Sequence, residues 1–329
     1  MTGLSDSFQR PINYLRISVT DRCNLRCVYC MPPEGVPTLS HNDILSYEEI
    51  FNIVGAAAEL GITKVRITGG EPLVRGGLSH LIQMINGLGT INDIALTTNG
   101  ILLGKYAAEL KAAGLKRINV SLDSLQPGKF TSITRGTASL NEVLDGLETA
   151  KSVGLNPVKL NMVVMAGIND DEIIDFARKT ITDGWNVRFI ELMPFTGNGN
   201  IDPRFISVAE IKRRLEPLGK LEPHAMKIGN GPAKYFRFDG AKGTLGFITP
   251  VTEHFCFNCN RLRLTSDGKL RPCLLAEDEI DLKSPLRSGV IHDGLKKLIQ
   301  KAVDQKPLQH HLAENKVSAQ RRPMRQVGG

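Results

Sequence analysis

The sequence predicts an α/β protein. Its expected core is a partial, open TIM-like barrel of six parallel strands, each followed by a helix, with a C-terminal region closing the opening. Three observations predict this. Short segments rich in β-branched residues alternate with amphipathic patterns, at spacings of about thirty residues, from Tyr14 to about Leu192. Polar residues gather where these strand-like segments end, as they do on the working face of βα barrels. Beyond Leu192 the texture changes to short paired strands.

The strands are expected at Tyr14–Thr20, Thr63–Thr68, Asp93–Thr98, Arg117–Leu122, Pro157–Val164 and Asn186–Leu192. They are short and often apolar on both faces, as buried parallel strands are. Ser46-Tyr47-Glu48-Glu49 has the form of a capping box and opens a helix running to about Leu60, where Gly61 stops it. Further helices are expected near Leu78–Asn86, Gly104–Ala113 and Leu140–Val153. Asn169-Asp170-Asp171-Glu172 reads as a looser helix start. A closed eight-stranded barrel would need two more units. Instead there follow Pro194, the loop Thr196-Gly197-Asn198-Gly199-Asn200 and a capped helix over Ser207–Leu218. Tyr235–Phe238, Gly243–Thr249 and Arg261–Arg271, the last turning at Asp267-Gly268, read as hairpin strands. A terminal helix over Leu286–Val303 precedes a polar, basic tail. The expected division is a barrel over residues 1–200 and a C-terminal region with its tail over residues 201–329.

With 329 residues the chain can bury a large core. Its net charge is +7, spread along the chain rather than gathered in a stripe, and aromatic residues make up only 5%. Neither feature suits a nucleic-acid surface, whereas an anionic small substrate fits the excess. No run of apolar residues is long enough for a membrane span, and no leader is visible near Met1, so a reducing cytoplasm is the expected compartment.

The chain's 6 cysteines fall into two triads, Cys23, Cys27, Cys30 and Cys256, Cys259, Cys273. A disulfide framework suits small secreted chains, not this one. Structural zinc takes four ligands. The first triad has no paired partner, since His41 lies beyond a Pro-rich turn, but His254 before the second triad leaves a Cys3His zinc site open there. Thiolate softness alone does not separate zinc from iron–sulfur. The loops that surround the first triad argue for a reaction centre. Gly69-Gly70-Glu71-Pro72 ends strand two, Thr97-Thr98-Asn99-Gly100 strand three, Ser121-Leu122-Asp123-Ser124 strand four and Glu191-Leu192-Met193-Pro194 strand six; Lys159 and Asn161 share one face of strand five.

These residues carry a resemblance. Cys23-x3-Cys27-x2-Cys30, with Tyr29 before the last cysteine and Gly69-Gly70-Glu71-Pro72 after it, resembles the radical S-adenosylmethionine (SAM) superfamily. The second triad, the Arg261-Leu262-Arg263 run and the terminal Gly328-Gly329 narrow the resemblance to the molybdenum-cofactor biosynthesis protein A family, the GTP 3′,8-cyclases, over nearly the whole chain. The resemblance implies two 4Fe–4S clusters, one on each triad, and SAM bound at the first. It implies a lyase that converts GTP to 3′,8-cyclo-7,8-dihydro-GTP, the first step of molybdenum cofactor synthesis. There an adenosyl radical takes the ribose C3′ hydrogen and the C3′ radical adds to guanine C8. By the same resemblance Tyr29, Gly69, Gly70, Glu71, Thr98, Asn99, Ser121 and Met193 serve SAM. Arg16, Arg66, Thr97, Lys159, Arg261, Leu262 and Arg263 serve GTP, and Gly328 and Gly329 support catalysis. It further implies a flavodoxin or ferredoxin as electron donor, a downstream cyclic pyranopterin monophosphate synthase and a homodimer. A peptide-modifying maturase of the same superfamily and a zinc-stapled, non-catalytic protein are the alternatives. No role is assigned to His254, His310 or His311.

Overall fold

A computed structural model of the chain describes residues 3–193, 202–225, 230–310, 322 and 324–328. The expected loop Thr196–Asn200, His311 and Gly329 lie outside the described residues. The six expected strands form as β1 (Tyr14–Ser18), β2 (Lys64–Thr68), β3 (Asp93–Thr98), β4 (Arg117–Ser121), β5 (Val158–Val164) and β6 (Asn186–Glu191), each parallel to the next. The helices between them are α1 (Tyr47–Glu59), α2 (Leu78–Gly87), α3 (Leu103–Ala112), α4 (Pro127–Thr134), α5 (Leu140–Ser152) and α6 (Ile173–Thr182). The predicted box at Ser46 is present: its side chain accepts from Glu49 N while Glu49 reaches back to the Ser46 N–H.

The C-terminal part adds α7 (Val208–Leu215), β7 (Leu221–Pro223), β8 (Lys234–Phe238), β9 (Thr244–Ile248), β10 (Arg261–Leu264), β11 (Lys269–Arg271), β12 (Ile280–Asp281), α8 (Lys283–Arg287), α9 (His292–Asp304) and the short α10 (Met324–Val327). It does more than cover the opening. β9 pairs parallel with β6 and β10 pairs parallel with β1, so a strand of this region extends each edge of the six-stranded core. The resulting sheet has 12 strands in the order β12-β11-β10-β1-β2-β3-β4-β5-β6-β9-β8-β7. Glu191 fastens the junction on one side. Its buried carboxylate accepts from Val208 N at 3.1 Å and from Val251 N and Thr252 N, each at 3.0 Å.

Three expectations change. The strands are not apolar on both faces. Leu15, Ile17, Val65, Ile67, Ile118, Val120, Leu160 and Phe189 bury their side chains in the core, while the alternate residues Arg16, Arg66, Asn119, Lys159 and Arg188 face the other way. A barrel that holds a ligand keeps its lumen polar, and the strands alternate accordingly. Asn169 makes no cap hydrogen bond. Its amide is taken up by Met165 N and by the carbonyls of Asp123 and Val163. The terminal helix is two helices, α8 and α9, separated by a turn in which Gly289 takes φ +86°. The helix α4 had no strong sequence signal; Pro127 at its first turn opens it.

Candidate active site

One cavity at the C-terminal ends of the parallel strands takes in all six cysteines. The first triad lies on the loop after β1. That loop is held against the loop after β2 by Gly70 N to Thr20 O and Glu71 N to Arg22 O, both 2.8 Å. The approach is close. A Cβ on Gly69 would sit 2.5 Å from Thr20 O, and one on Gly70 would sit 2.3 Å from Arg22 O. Glycine is therefore needed here to seat the cysteine loop, in addition to any ligand it admits.

Glu71 is buried and turned toward its own scaffold. Its carboxylate accepts from Leu73 N at 3.0 Å, Thr98 Oγ1 at 2.8 Å and Asn99 N at 2.6 Å, tying the ends of β2 and β3 together. Burial pushes it up to about 7 despite these donors. Asn99 reaches on to Asn24 Oδ1 at 2.8 Å, inside the cysteine loop. Tyr29 donates to Asp123 Oδ2 at 2.8 Å, and Val163 N donates to Asp123 Oδ1 at 2.8 Å. Asp123, which closes the polar end of β4, thus fixes the aromatic ring beside Cys30; burial pushes its carboxyl up to about 6.

In the second triad Cys256 and Cys259 lie between β9 and β10, and Cys273 lies just after β11. Cys256 is buried, and Cys259 and Cys273 are partly exposed to the cavity. The two triads differ electrostatically. Burial pushes Cys23 up to about 12 and Cys30 up to about 11. Burial also acts on Cys259, but Arg261 and Lys306 outweigh it and hold this thiol at about 6. All six cysteines are free. Among the described residues, no three His, Cys, Asp or Glu side chains draw together around a single-ion site. His254, the candidate fourth zinc ligand, packs its ring 5.5 Å from Phe257 and 5.7 Å from His310, and it is His310 that lines the cavity.

Between the triads the lumen is strongly cationic. The sheet register sets Arg16 level with Arg66 on one side and Arg263 on the other. Arg66 donates to the Tyr14 hydroxyl and to Thr97 Oγ1 at 3.3 Å. Lys159 donates to the Tyr235 hydroxyl at 3.1 Å, and burial together with Arg188 lowers it to about 7. Arg263, 7% exposed, is lowered to about 9 by burial and by Arg261. Burial and Arg263 lower Arg16 as well. Such crowding of like charge is costly unless an anion neutralises it. The chain's own tail partly does so with a dipole: the Gly328 carbonyl accepts from Arg263 Nη1 and from Arg16 Nε at 3.3 Å.

Most residues chosen from the sequence meet in this cavity: Arg16, Tyr29, Arg66, Gly69, Gly70, Thr97, Thr98, Asn99, Ser121, Met193, Arg261 and Arg263 line it with the cysteines. Leu262 does not. Its side chain is 1% exposed in the core, because adjacent residues of a strand face opposite ways. Glu71 and Lys159 stand behind the wall. Among the further residues that line it, with no role assigned from the sequence, are Asp123, Asn161, Arg188 and Arg325. Asn161 Oδ1 and the Nε atoms of Arg188 and Arg325 are buried without a hydrogen-bond partner. The period-two phase of Lys159 and Asn161 on β5, carried to β6, would have pointed to Arg188.

Residues 17–180 match the radical SAM superfamily, and residues 185–312 match Molybdenum Cofactor Synthesis C. The chain is 52% identical over 328 residues to the GTP 3′,8-cyclase of Thermodesulfovibrio yellowstonii, covering 99% of this chain and 100% of that one. It is 49% identical over 326 residues to the GTP 3′,8-cyclase of Heliobacterium modesticaldum, covering 98% and 99%. Among solved structures, the fold is similar to Streptococcus suis SuiB bound to precursor peptide SuiA (TM-score 0.59, 16% identity, 88% of this chain and 68% of that one). It is also similar to anSMEcpe with bound AdoMet (TM-score 0.57, 15% identity, 92% and 83%).

Proposed function

Because this chain belongs to the GTP 3′,8-cyclase family of radical SAM enzymes, we infer that it converts GTP to 3′,8-cyclo-7,8-dihydro-GTP in molybdenum cofactor synthesis. The cofactors of the family are SAM and iron–sulfur clusters. The donor set fits them: two sets of three free thiols face one cavity, so a cubic cluster on either set keeps one iron open for a ligand. When bound, SAM and its cluster supply the adenosyl radical that begins the chemistry.

The protein's own work is positional and electrostatic. Cys23, Cys27 and Cys30 hold the first cluster, on a loop seated by Gly69 and Gly70. Thr98, Asn99, Ser121 and Met193 offer the walls for SAM, and Tyr29 is held in place by Asp123. Cys256, Cys259 and Cys273 would hold the second cluster, which would offer the substrate base an iron site in the same cavity. Arg16, Arg66, Thr97, Arg261 and Arg263, with Lys159 behind them, take the triphosphate through charge-assisted hydrogen bonds. Gly328 stands between Arg16 and Arg263, so the tail caps the phosphate end of the cavity and helps keep water out.

The observation that carries this reading is the shared cavity: two unlike thiol triads face each other across a cationic lumen. The test is product analysis. Reconstituted protein given SAM, a reductant and GTP should form a compound with the mass of GTP but without the intact guanine chromophore. Recovery of unchanged GTP alongside consumed SAM would overturn the reading.

The same reading divides the chain at about residue 200 into a SAM-handling barrel and a substrate-handling region. It also supplies a flavodoxin or ferredoxin as electron donor, a cyclic pyranopterin monophosphate synthase as consumer of the product, a homodimer and a cytoplasmic site of action. No helix among the described residues is long and apolar enough to cross a membrane.

A further inference from the structure

Two buried cations far apart in sequence meet at the second cysteine triad. Arg10 is 5% exposed and Lys306 is 3% exposed. Arg10 is oriented by Asp6, whose carboxylate accepts from Arg10 Nε at 2.5 Å and from the backbone N–H of Phe8 and Arg10 at 3.0 Å. The far end of the guanidinium donates to three carbonyls: Cys256 at 2.8 Å, Leu308 at 2.8 Å and Pro307 at 2.7 Å. Lys306 donates to Arg261 O at 2.8 Å and to Pro272 O at 2.5 Å. Each cysteine of the triad is therefore bracketed. Cys256 is held by its own carbonyl, Cys259 through the residue two beyond it, and Cys273 through the residue just before it. The His310 backbone hydrogen-bonds the Cys256 thiol and closes the same strap.

We propose that Arg10 and Lys306 are positioning residues: they form a buried frame that presets the second cysteine triad for its cluster, and the first triad does not depend on them. This rests on the two-cluster reading above. The physical case is a matter of cost. A buried ammonium or guanidinium is unfavourable unless a negative charge compensates it. Arg10 has Asp6. The acceptors of Lys306 are neutral carbonyls, and the acidic groups that face it are the thiols of Cys259 and Cys273. A ligand loop whose backbone is already fixed by these hydrogen bonds gives up less freedom when it takes a cluster, so the frame and loading reinforce each other. The first triad is built differently. Its loop is seated on Gly69 and Gly70, and Arg325 donates to Asp21 O at 2.9 Å, Val36 O at 2.9 Å and Pro37 O at 2.7 Å. Neither Arg10 nor Lys306 touches it.

The test uses the full chain, reconstituted without oxygen with iron and sulfide. Lys306→Met keeps length and removes both donors; Arg10→Lys keeps charge and removes the fork. A Cys256→Ser, Cys259→Ser, Cys273→Ser triple variant gives the one-cluster reference. Wild type should hold about eight irons per chain, and each frame variant about four, a twofold loss. The cluster that remains should give, when reduced, the electron paramagnetic resonance signal of the triple variant, and that signal should shift on adding SAM. Circular dichroism checks that the variants are folded. About eight irons with the wild-type spectrum in both variants would overturn the frame. Equal loss from both triads, or loss of fold, would also overturn it, because the residues would then support the fold at large. A wild type with about four irons or fewer would overturn the two-cluster reading itself, and the frame with it.

Discussion

Replacing Gly70 with alanine tests how the first triad is seated. The added Cβ would lie 2.3 Å from Arg22 O and 3.0 Å from Asp21 O, both backbone atoms that cannot swing aside. An ordinary contact is about 3.4 Å, so the cysteine loop must retreat by about 1 Å. Retreat breaks the two 2.8 Å hydrogen bonds from Gly70 N and Glu71 N, worth about 1 kcal/mol each, and adds overpacking of about 1–3 kcal/mol. The total is about 3–5 kcal/mol, and at 329 residues that lowers the melting temperature by about 4–7 °C. Because the strain falls on the loop carrying Cys23, the first cluster should be lost before the second. The assays are thermal unfolding and iron analysis after reconstitution, with the SAM-sensitive paramagnetic signal as the marker of the first site. Wild-type melting and an unchanged SAM-sensitive signal in Gly70→Ala would refute the argument.

Arg263→Ala should weaken GTP binding by about 30–150-fold, the effect of losing about 2–3 kcal/mol of charge-assisted bonding, while both clusters stay in place. Calorimetric titration reads the affinity; loss of iron in this variant would count against a phosphate role. Removing Gly328 and Gly329 should cut turnover without unfolding the chain, and full activity in the truncated chain would show that the tail contact with Arg16 and Arg263 is idle. Lys159 titrates near 7 without ligand, and a bound triphosphate raises it, so binding at pH 8 should take up as much as about one proton. GTP affinity should therefore fall as pH rises above 7, and Lys159→Met should abolish that slope. Titration in buffers of different ionisation enthalpy measures the uptake; an unchanged slope in Lys159→Met would remove Lys159 from the phosphate site.

The alternation of strands and helices was legible because β-branched runs and capping boxes are local signals. The motif residues were legible because a cysteine triad and a glycine pair are rare strings. Two kinds of information were not. The lumen needed the register between strands: Arg188 looks like any strand residue until it stands beside Asn161 on the neighbouring strand. The frame around the second triad needed contacts across the whole chain. Asp6 and Arg10 lie near the start, Lys306 near the end, and no periodicity links them. The edge strands β9 and β10 were recognised as strands but not as parallel extensions of the core, since the hairpin texture around them suggested only a region closing the opening. Leu262 shows the opposite error: a motif names three consecutive residues, but a strand can present only the first and third to one ligand.

The central claim is that two iron–sulfur sites serve one cavity holding SAM and GTP. It is tested most directly by reconstituting the chain anaerobically and following SAM cleavage with and without GTP. The account predicts a brown protein with about eight irons per chain that forms 5′-deoxyadenosine only when GTP is present, together with a cyclised isomer of GTP. Zinc in place of iron, or SAM cleavage indifferent to GTP, would contradict it.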